Sequence, residues 1–224
     1  MKTMSFEKLN DTIINCRKCP RLVAWREQVA RTRRKAYLDW DYWGKPVPGF
    51  GDPRARVLVV GLAPGAHGSN RTGRQFTGDA SGNFLFPALY KAGFASQPES
   101  ISRDDGLQLQ DMYLTAAGRC APPGNKPAAA ELERCQPYLE REIELLQPKV
   151  FVALGRIAFE RLLRILSPKA RVGKFVHGEA FRLEDGTWLV CSYHPSRQNT
   201  QTGRLTVAMF ASVWELVRRL LEGT

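Results

Sequence analysis

The sequence predicts an α/β fold of three layers, with helices on both faces of a central, largely parallel sheet of four strands. Three observations lead there. Apolar runs of strand length recur at 56–61, 112–116, 149–154 and 187–192, and parallel strands covered on both faces read as unbroken apolar runs. Helical apolar spacing fills the intervals between the earlier runs. Chemistry-rich segments at 61–79, 118–127 and 193–204 follow the first, second and last strands, on the side where open α/β sheets bind ligands.

Each element has its own signal. Residues 5–35 read as mostly helical, broken at Cys16-Arg17-Lys18-Cys19-Pro20. Residues 40–53, with Trp40, Tyr42, Trp43 and three prolines, form a loop into the first strand. Val57-Leu58-Val59-Val60 then runs into Gly61-Leu62-Ala63-Pro64-Gly65 and a loop that continues to Asp79. Phe84 to Tyr90 starts a helix, with Pro87 tolerated in its first turn. Glu131 to Leu146 and Ile157 to Leu166 carry helical spacing, and Asp185-Gly186 signals a hairpin turn. A last helix, about 205–222, places Leu205, Ala208, Met209, Val213, Leu216, Val217 and Leu220 on one face. At 224 residues the chain buries a full core as a single domain, 1–224.

Charge narrows the partners. Lys and Arg number 33 against 22 Asp and Glu, a formal net charge of +11. That balance favours a polyanion. Nucleic acid suits it better than a membrane surface, because there is no long apolar span and no basic amphipathic leader. Without a signal peptide the expected location is cytoplasmic, associated with the nucleoid. Nucleotide-loop motifs fit poorly. The first glycine spacing is G-x-x-x-G where a dinucleotide fingerprint needs G-x-G, and Arg74-Gln75 follow Gly73 where a Walker loop needs Lys and Ser or Thr.

Five cysteines, an odd number, argue against a disulfide framework. Cys16 and Cys19 form C-x-x-C, and Cys120 and Cys135 add a second pair; Cys191 sits in an apolar strand and reads as a buried thiol. Structural zinc and an iron–sulfur cluster both fit four such ligands. The loop 61–79 collects an aromatic ring (Phe76), a carboxylate (Asp79), an imidazole (His67) and two guanidinium groups (Arg71, Arg74). Its glycines let backbone N–H groups approach a ligand closely.

Cys16-Arg-Lys-Cys-Pro20, Gly61-Leu-Ala-Pro-Gly65, Phe76-Thr-Gly-Asp79, Cys120-Ala-Pro-Pro123 and His194-Pro-Ser196 follow one another along nearly the whole chain. In this order the sequence resembles the uracil-DNA glycosylase superfamily, and within it family 5, the type-B enzymes. The resemblance implies the four-stranded parallel sheet between helices and a [4Fe–4S] cluster held by Cys16, Cys19, Cys120 and Cys135, which ties an N-terminal iron–sulfur-binding helical segment to residues 120–135. It also implies a base pocket of Gly61, Ala63, Phe76 and Asn125, with Phe76 stacking on a flipped base and His194 donating to a base carbonyl. Asp79 then orients water or stabilises the sugar cation, although Asp79-Ala80-Ser81-Gly82 also reads as a helix N-cap. His67 is a second candidate at the sugar or a phosphate. Arg197 and Gln198 stand where relatives insert a wedge into the duplex. Ser196, Asn199, Arg204, Ser69, Asn70 and Arg71 are the expected backbone contacts.

Leu62 and Ala63 stand where other families of the superfamily carry Glu, Asp or Asn, and Thr115 is followed by Ala116 rather than an asparagine. Family 5 shares these losses, which implies a pocket open to hypoxanthine and xanthine besides uracil. The expected activity is that of a monofunctional glycosylase of base-excision repair. It is expected to act as a monomer on double-stranded DNA, with single-stranded DNA as a further candidate. The alternative is a metal-stapled nucleic-acid-binding protein without catalysis, separated from the first reading by release of an abasic site.

Overall fold

The computed structural model describes residues 5–167 and 173–223. Its centre is one sheet in the order β1-β3-β2-β4-β6-β5. The four expected strands are its middle: β2 (Val57–Gly61), β3 (Met112–Ala116), β4 (Val150–Leu154) and β6 (Trp188–Ser192), all mutually parallel. The expected count of four falls short by two antiparallel edge strands, β1 (Phe50–Gly51) and β5 (Ala180–Arg182). Both are very short, which blunts an exposed sheet edge. β5 returns through the Asp185-Gly186 turn onto β6, closing the hairpin that the dipeptide signals.

Alternation along the strands separates the two helical layers. Val57 and Val59 face one side with Leu114, Val150, Val152 and Val190. There they meet α4 (Ala80–Lys91) through Leu85, Phe86 and Leu89, and α8 (Val207–Glu222) through Phe210, Val213, Trp214 and Val217. Leu58 and Val60 face the other side with Tyr113, Phe151 and Leu189. That face is covered by α5 (Ala129–Leu146) and α6 (Arg156–Leu166). Packing on both faces explains why β2, β3 and β4 are buried along their whole length.

The N-terminal segment is helical as expected, with α1 (Phe6–Ile14) and α2 (Pro20–Thr32) divided at the first cysteine pair. Leu9 and Ile13 of α1 pack on Tyr138 of α5. One boundary is corrected. The helix expected at Phe84 begins four residues earlier, at Ala80, so Pro87 lies inside α4 rather than in its first turn. The side chain of Asp79 supplies the reason, because it accepts from two N–H groups of the opening turn and nucleates the helix there.

The carboxyl ends of the parallel strands are tied together beyond the sheet. Ala117 N donates to Gly61 O at 3.0 Å, Gly118 N to Leu62 O at 2.9 Å and Gly155 N to Ser192 O at 2.8 Å. These bonds tie the loop after β2 to that after β3, and the end of β4 to that of β6.

Candidate active site at the carboxyl ends of the strands

Gly61 ends β2, and its lack of a side chain makes room for Phe76: a Cβ there would lie 2.6 Å from Cζ of the phenyl ring. Gly82 does the same for the backbone, where a Cβ would lie 1.9 Å from the Phe76 carbonyl oxygen. Phe76 itself adopts φ +52°, strained for a residue with a side chain. Its ring faces His194 across a centroid distance of 6.0 Å, the planes tilted by 33°. Phe76 is only 7% exposed and also belongs to the core, so most of the ring serves packing.

His194 follows β6 and leans on Gly155, where a Cβ would lie 3.5 Å from its own Cβ. Its carbonyl accepts from Asn199 Nδ2 at 2.9 Å. Surrounding protein takes water away from the imidazole and pushes its pKa down to about 4. At neutral pH the ring is therefore uncharged and keeps one N–H to donate. The residue before it, Tyr193, stacks on His177 with centroids 4.9 Å apart, and Tyr193 N donates to His177 Nδ1 at 3.0 Å.

Asp79 divides its carboxylate. Oδ1 caps α4, accepting from Ser81 N at 3.0 Å and Gly82 N at 3.1 Å. Oδ2 turns toward the glycine loop, against Gly65 and Gly68. Burial raises the Asp79 pKa, opposed by the two backbone donors and by the Arg71 charge. The N-cap reading is thus met by Oδ1 alone, and Oδ2 takes no part in the cap. His67 lies on the same loop, its Nδ1 3.0 Å from Tyr42 Oη, and burial followed by the charges of Arg34 and Arg71 lowers its pKa. Ala63 sits partly buried across from Gly118. Asn125 is exposed in a short 3-10 turn, Pro123–Asn125, on the way from β3 to α5.

The expected DNA-backbone contacts divide into two groups. Arg197, Gln198 and Arg204 are exposed, and the Arg204 guanidinium lies over the Tyr193 ring at 4.7 Å. Ser196 caps α7 (Arg197–Gln201), accepting from Asn199 N at 3.3 Å. Ser69, Asn70 and Arg71 are different: they are buried in the one-turn helix α3 (Ser69–Thr72), which corrects their expected role as surface contacts. Arg71 is clamped between the rings of Tyr37 at 4.0 Å and Trp40 at 3.9 Å, and it donates to His67 O and Gly78 O, each at 2.8 Å. Asn70 Nδ2 donates to Arg26 O at 3.3 Å. These side chains build the loop from within.

Cys16, Cys19, Cys120 and Cys135 line one small closed cavity with Leu22, Val23 and Pro46, and all four are free thiols. Among the described residues no three His, Cys, Asp or Glu side chains converge tightly enough to hold a single ion. Burial pushes the Cys120 thiol up to about 12 and raises Cys135 as well. Arg26, 2% exposed, donates through Nη1 to Cys120 Sγ at 3.6 Å and through Nη2 to Cys16 O at 3.4 Å. Next to Cys120, Arg119 forms a fully buried ion pair with Glu142, with Nη2 to Oε2 at 2.6 Å.

A model of the uracil DNA glycosylase superfamily matches residues 48–218, from the loop before β1 into α8. The chain belongs to the uracil-DNA glycosylase superfamily. It is 56% identical over 218 residues to a type-5 uracil-DNA glycosylase of Thermus thermophilus, covering 97% of this chain and 99% of that one. A type-5 uracil-DNA glycosylase of Pyrobaculum aerophilum is 48% identical over 93% of this chain and 90% of its own. One of Mycobacterium leprae is 49% identical over 96% of each. In this superfamily member three site features escape sequence reasoning: Tyr42 on His67, His177 on Tyr193 and Arg26 on Cys120. Arg26 had one legible signal, since it sits with Leu22 and Val29 at helical spacing on the apolar face of α2.

Proposed function

We propose that this chain excises uracil from DNA as a monofunctional glycosylase of base-excision repair. Superfamily membership makes it a DNA glycosylase, a hydrolase of N-glycosyl bonds, with DNA as substrate. The observation that carries the reading is Phe76 packed over Gly61 and facing His194, with Asp79 Oδ2 against Gly65 and Gly68 of the same loop.

The chemistry follows from charge. As the bond between C1′ and the base nitrogen breaks, its electron pair leaves with the base and positive charge grows on the sugar. Phe76 offers the exposed part of its ring to the extruded base. The neutral His194 donates its N–H to a base carbonyl as negative charge develops there, without first protonating the base. Asp79 Oδ2 holds a water for C1′ and stabilises the cation; the new C1′–O bond forms as the water proton passes to the carboxylate. A carboxylate whose pKa burial has raised is the better acceptor for it. Leu62 and Ala63 add no polar group, so the pocket rejects little, which supports hypoxanthine and xanthine as further substrates. Asn125 borders the base, and the exposed Arg197 and Gln198 fill the gap left in the duplex. Lys126 is exposed at the end of a proline-rich turn and supplies no Schiff base here. The enzyme acts as a monomer on duplex DNA and on exposed single strands.

Four thiols around one apolar cavity and a guanidinium donor aimed at one of their sulfurs fit a thiolate-ligated group. The resemblance selects a [4Fe–4S] cluster held by Cys16, Cys19, Cys120 and Cys135. When bound it supplies a covalent clamp between the N-terminal segment and the 120–135 segment. Incubation with duplexes carrying one uracil, hypoxanthine or xanthine, followed by alkali, tests the activity. Scission at the marked base only after alkali is expected. Tight binding without an abasic site overturns catalysis in favour of a binding protein.

A further inference from the structure

A cleft of about 400 Å³ runs between α2 and the segment 42–45, a volume in the range of built ligand sites. Its lining is basic: Arg17, Arg26, Arg31 and Lys45 stand against one acid, Glu27. Glu27 is already engaged by Arg17 at 2.5 Å. Among the described residues neither Arg31 nor Lys45 forms an ion pair, and both are exposed. Arg26 adds a charge at the wall that is 2% exposed, with Nε lacking any hydrogen-bond partner. Its Nη2 already lies 3.8 Å from Glu27 Oε1 and its Nη1 bonds Cys120 Sγ, but the Nε bond is unmade, and an anion in the adjacent space offsets that loss.

The cleft is continuous with the catalytic loop. Trp43 N donates to Arg71 O at 2.8 Å and Gly44 N to Asn70 O at 3.0 Å, while Tyr42 Oη meets His67 Nδ1 at 3.0 Å. One wall of the cleft, the segment 42–45, is thus bonded to the loop that carries Asp79. Trp43 lines the same wall, and Lys45 Nζ lies over its ring at 5.5 Å.

We propose that this cleft holds backbone phosphates of the DNA strand that flanks the extruded nucleotide. The inference rests on the glycosylase reading above and extends its DNA contacts beyond the expected loops. A chain with +11 formal charge binds DNA largely through such phosphate contacts. The Arg31 and Lys45 head groups are the mobile, hydrated partners, and Arg26 is the fixed charge behind them. Glu27 is the one repulsive element.

The test is equilibrium binding, as a function of salt, to a duplex that carries one stable abasic-site analogue at its centre. Arg31→Ala and Lys45→Ala each lower the slope of log affinity against log salt by about one, and Glu27→Gln raises affinity. Duplexes shortened on one side of the central position and then on the other locate the contact: the difference between wild type and variants vanishes for one of the two. Wild-type slopes in both variants, or a difference that survives both truncations, overturn the proposal. So does binding of inorganic phosphate that Arg31→Ala and Lys45→Ala abolish while the DNA slope stays at the wild-type value, since that assigns the cleft to a free anion. Uracil excision by the wild type, measured beside these, keeps a failure of the glycosylase reading separate from a failure of the cleft.

Discussion

The carboxylate of Asp79 occupies the space that a side chain at Gly68 would need: a Cβ there would lie 2.0 Å from Oδ2 and 2.6 Å from Cγ. Oδ1 is meanwhile held by the first turn of α4. The acid cannot retreat from Gly68 without releasing the cap. Gly68→Ala therefore displaces Oδ2 from the loop and lowers single-turnover excision by about tenfold or more, with DNA affinity nearly kept. Unchanged excision would place the reacting centre away from Oδ2. Asp79→Asn and Asp79→Ala divide the two tasks. Asn keeps an oxygen for the cap and loses the charge, so it loses activity and little stability. Ala loses both, with a stability cost of about 1 kcal/mol, read from urea denaturation.

Acid acts on Asp79 and His194 in opposite ways. Burial raises Asp79 above its ordinary value of 3.8, so its contribution to stability is full below that value and is lost as pH rises through the folded pKa. Its catalytic form appears over the same rise, and excision gains an acid limb that Asp79→Asn removes. His194 is depressed from 6.5 to about 4. The unfolded chain takes up that proton first, so its contribution to stability is present above 6.5 and lost as pH falls toward 4. His194→Asn should flatten the decline of Tm across that window. An equal decline in variant and wild type would show that His194 does not drive it.

Arg71 and Arg197 test the difference between a buried and an exposed guanidinium. Arg71 fills a slot between Tyr37 and Trp40 and ties His67 O to Gly78 O. Arg71→Ala should cost about 2–4 kcal/mol of stability through lost cation–π and charged hydrogen bonds, with the salt slope of DNA binding unchanged. Arg197→Ala should do the reverse, leaving Tm in place and lowering the slope by about one. A drop in slope for Arg71→Ala would return that residue to the DNA surface.

The same pair shows what a sequence reveals and what it hides. The four central strands were legible because burial on both faces demands unbroken apolar runs such as Val57 to Val60. Gly61, Phe76, Asp79 and His194 stand out in the sequence at strand ends and in a glycine loop, while their roles rest on the resemblance and their contacts show only in the fold. Arg71 was misread because its burial depends on Tyr37 and Trp40, more than thirty residues away, and no local periodicity records such a clamp. β1, of two residues, has too little length for a pattern, and β5, of three, is signalled only by its Asp185-Gly186 turn onto β6. Local bonding also outranked apolar spacing at α4, where the Asp79 cap sets the start ahead of the Phe84 run.

The cysteines give the last prediction, and Cys191 is its internal control. Cys120 and Cys191 are both pushed up to about 12 by burial, so neither is a thiolate at neutral pH unless something binds it. Only Cys120 has a guanidinium on its sulfur and three other thiols around the same cavity; Cys191 lies in β6 among apolar side chains. Ligation must therefore release protons from Cys120 and Cys135 and be compensated in part by Arg26. Purified protein should show the broad visible absorbance of iron–thiolate bonds, and stripping the metal should bleach it and lower Tm. A loss of even about 3 kcal/mol moves Tm by roughly 6–12 °C in a chain of this size. Cys120→Ala should reproduce both effects, while Cys191→Ala should keep the colour. A colourless protein carrying zinc would replace the cluster with a single ion, and a soluble Cys120→Ala variant with wild-type Tm and colour would remove Cys120 from the ligand set.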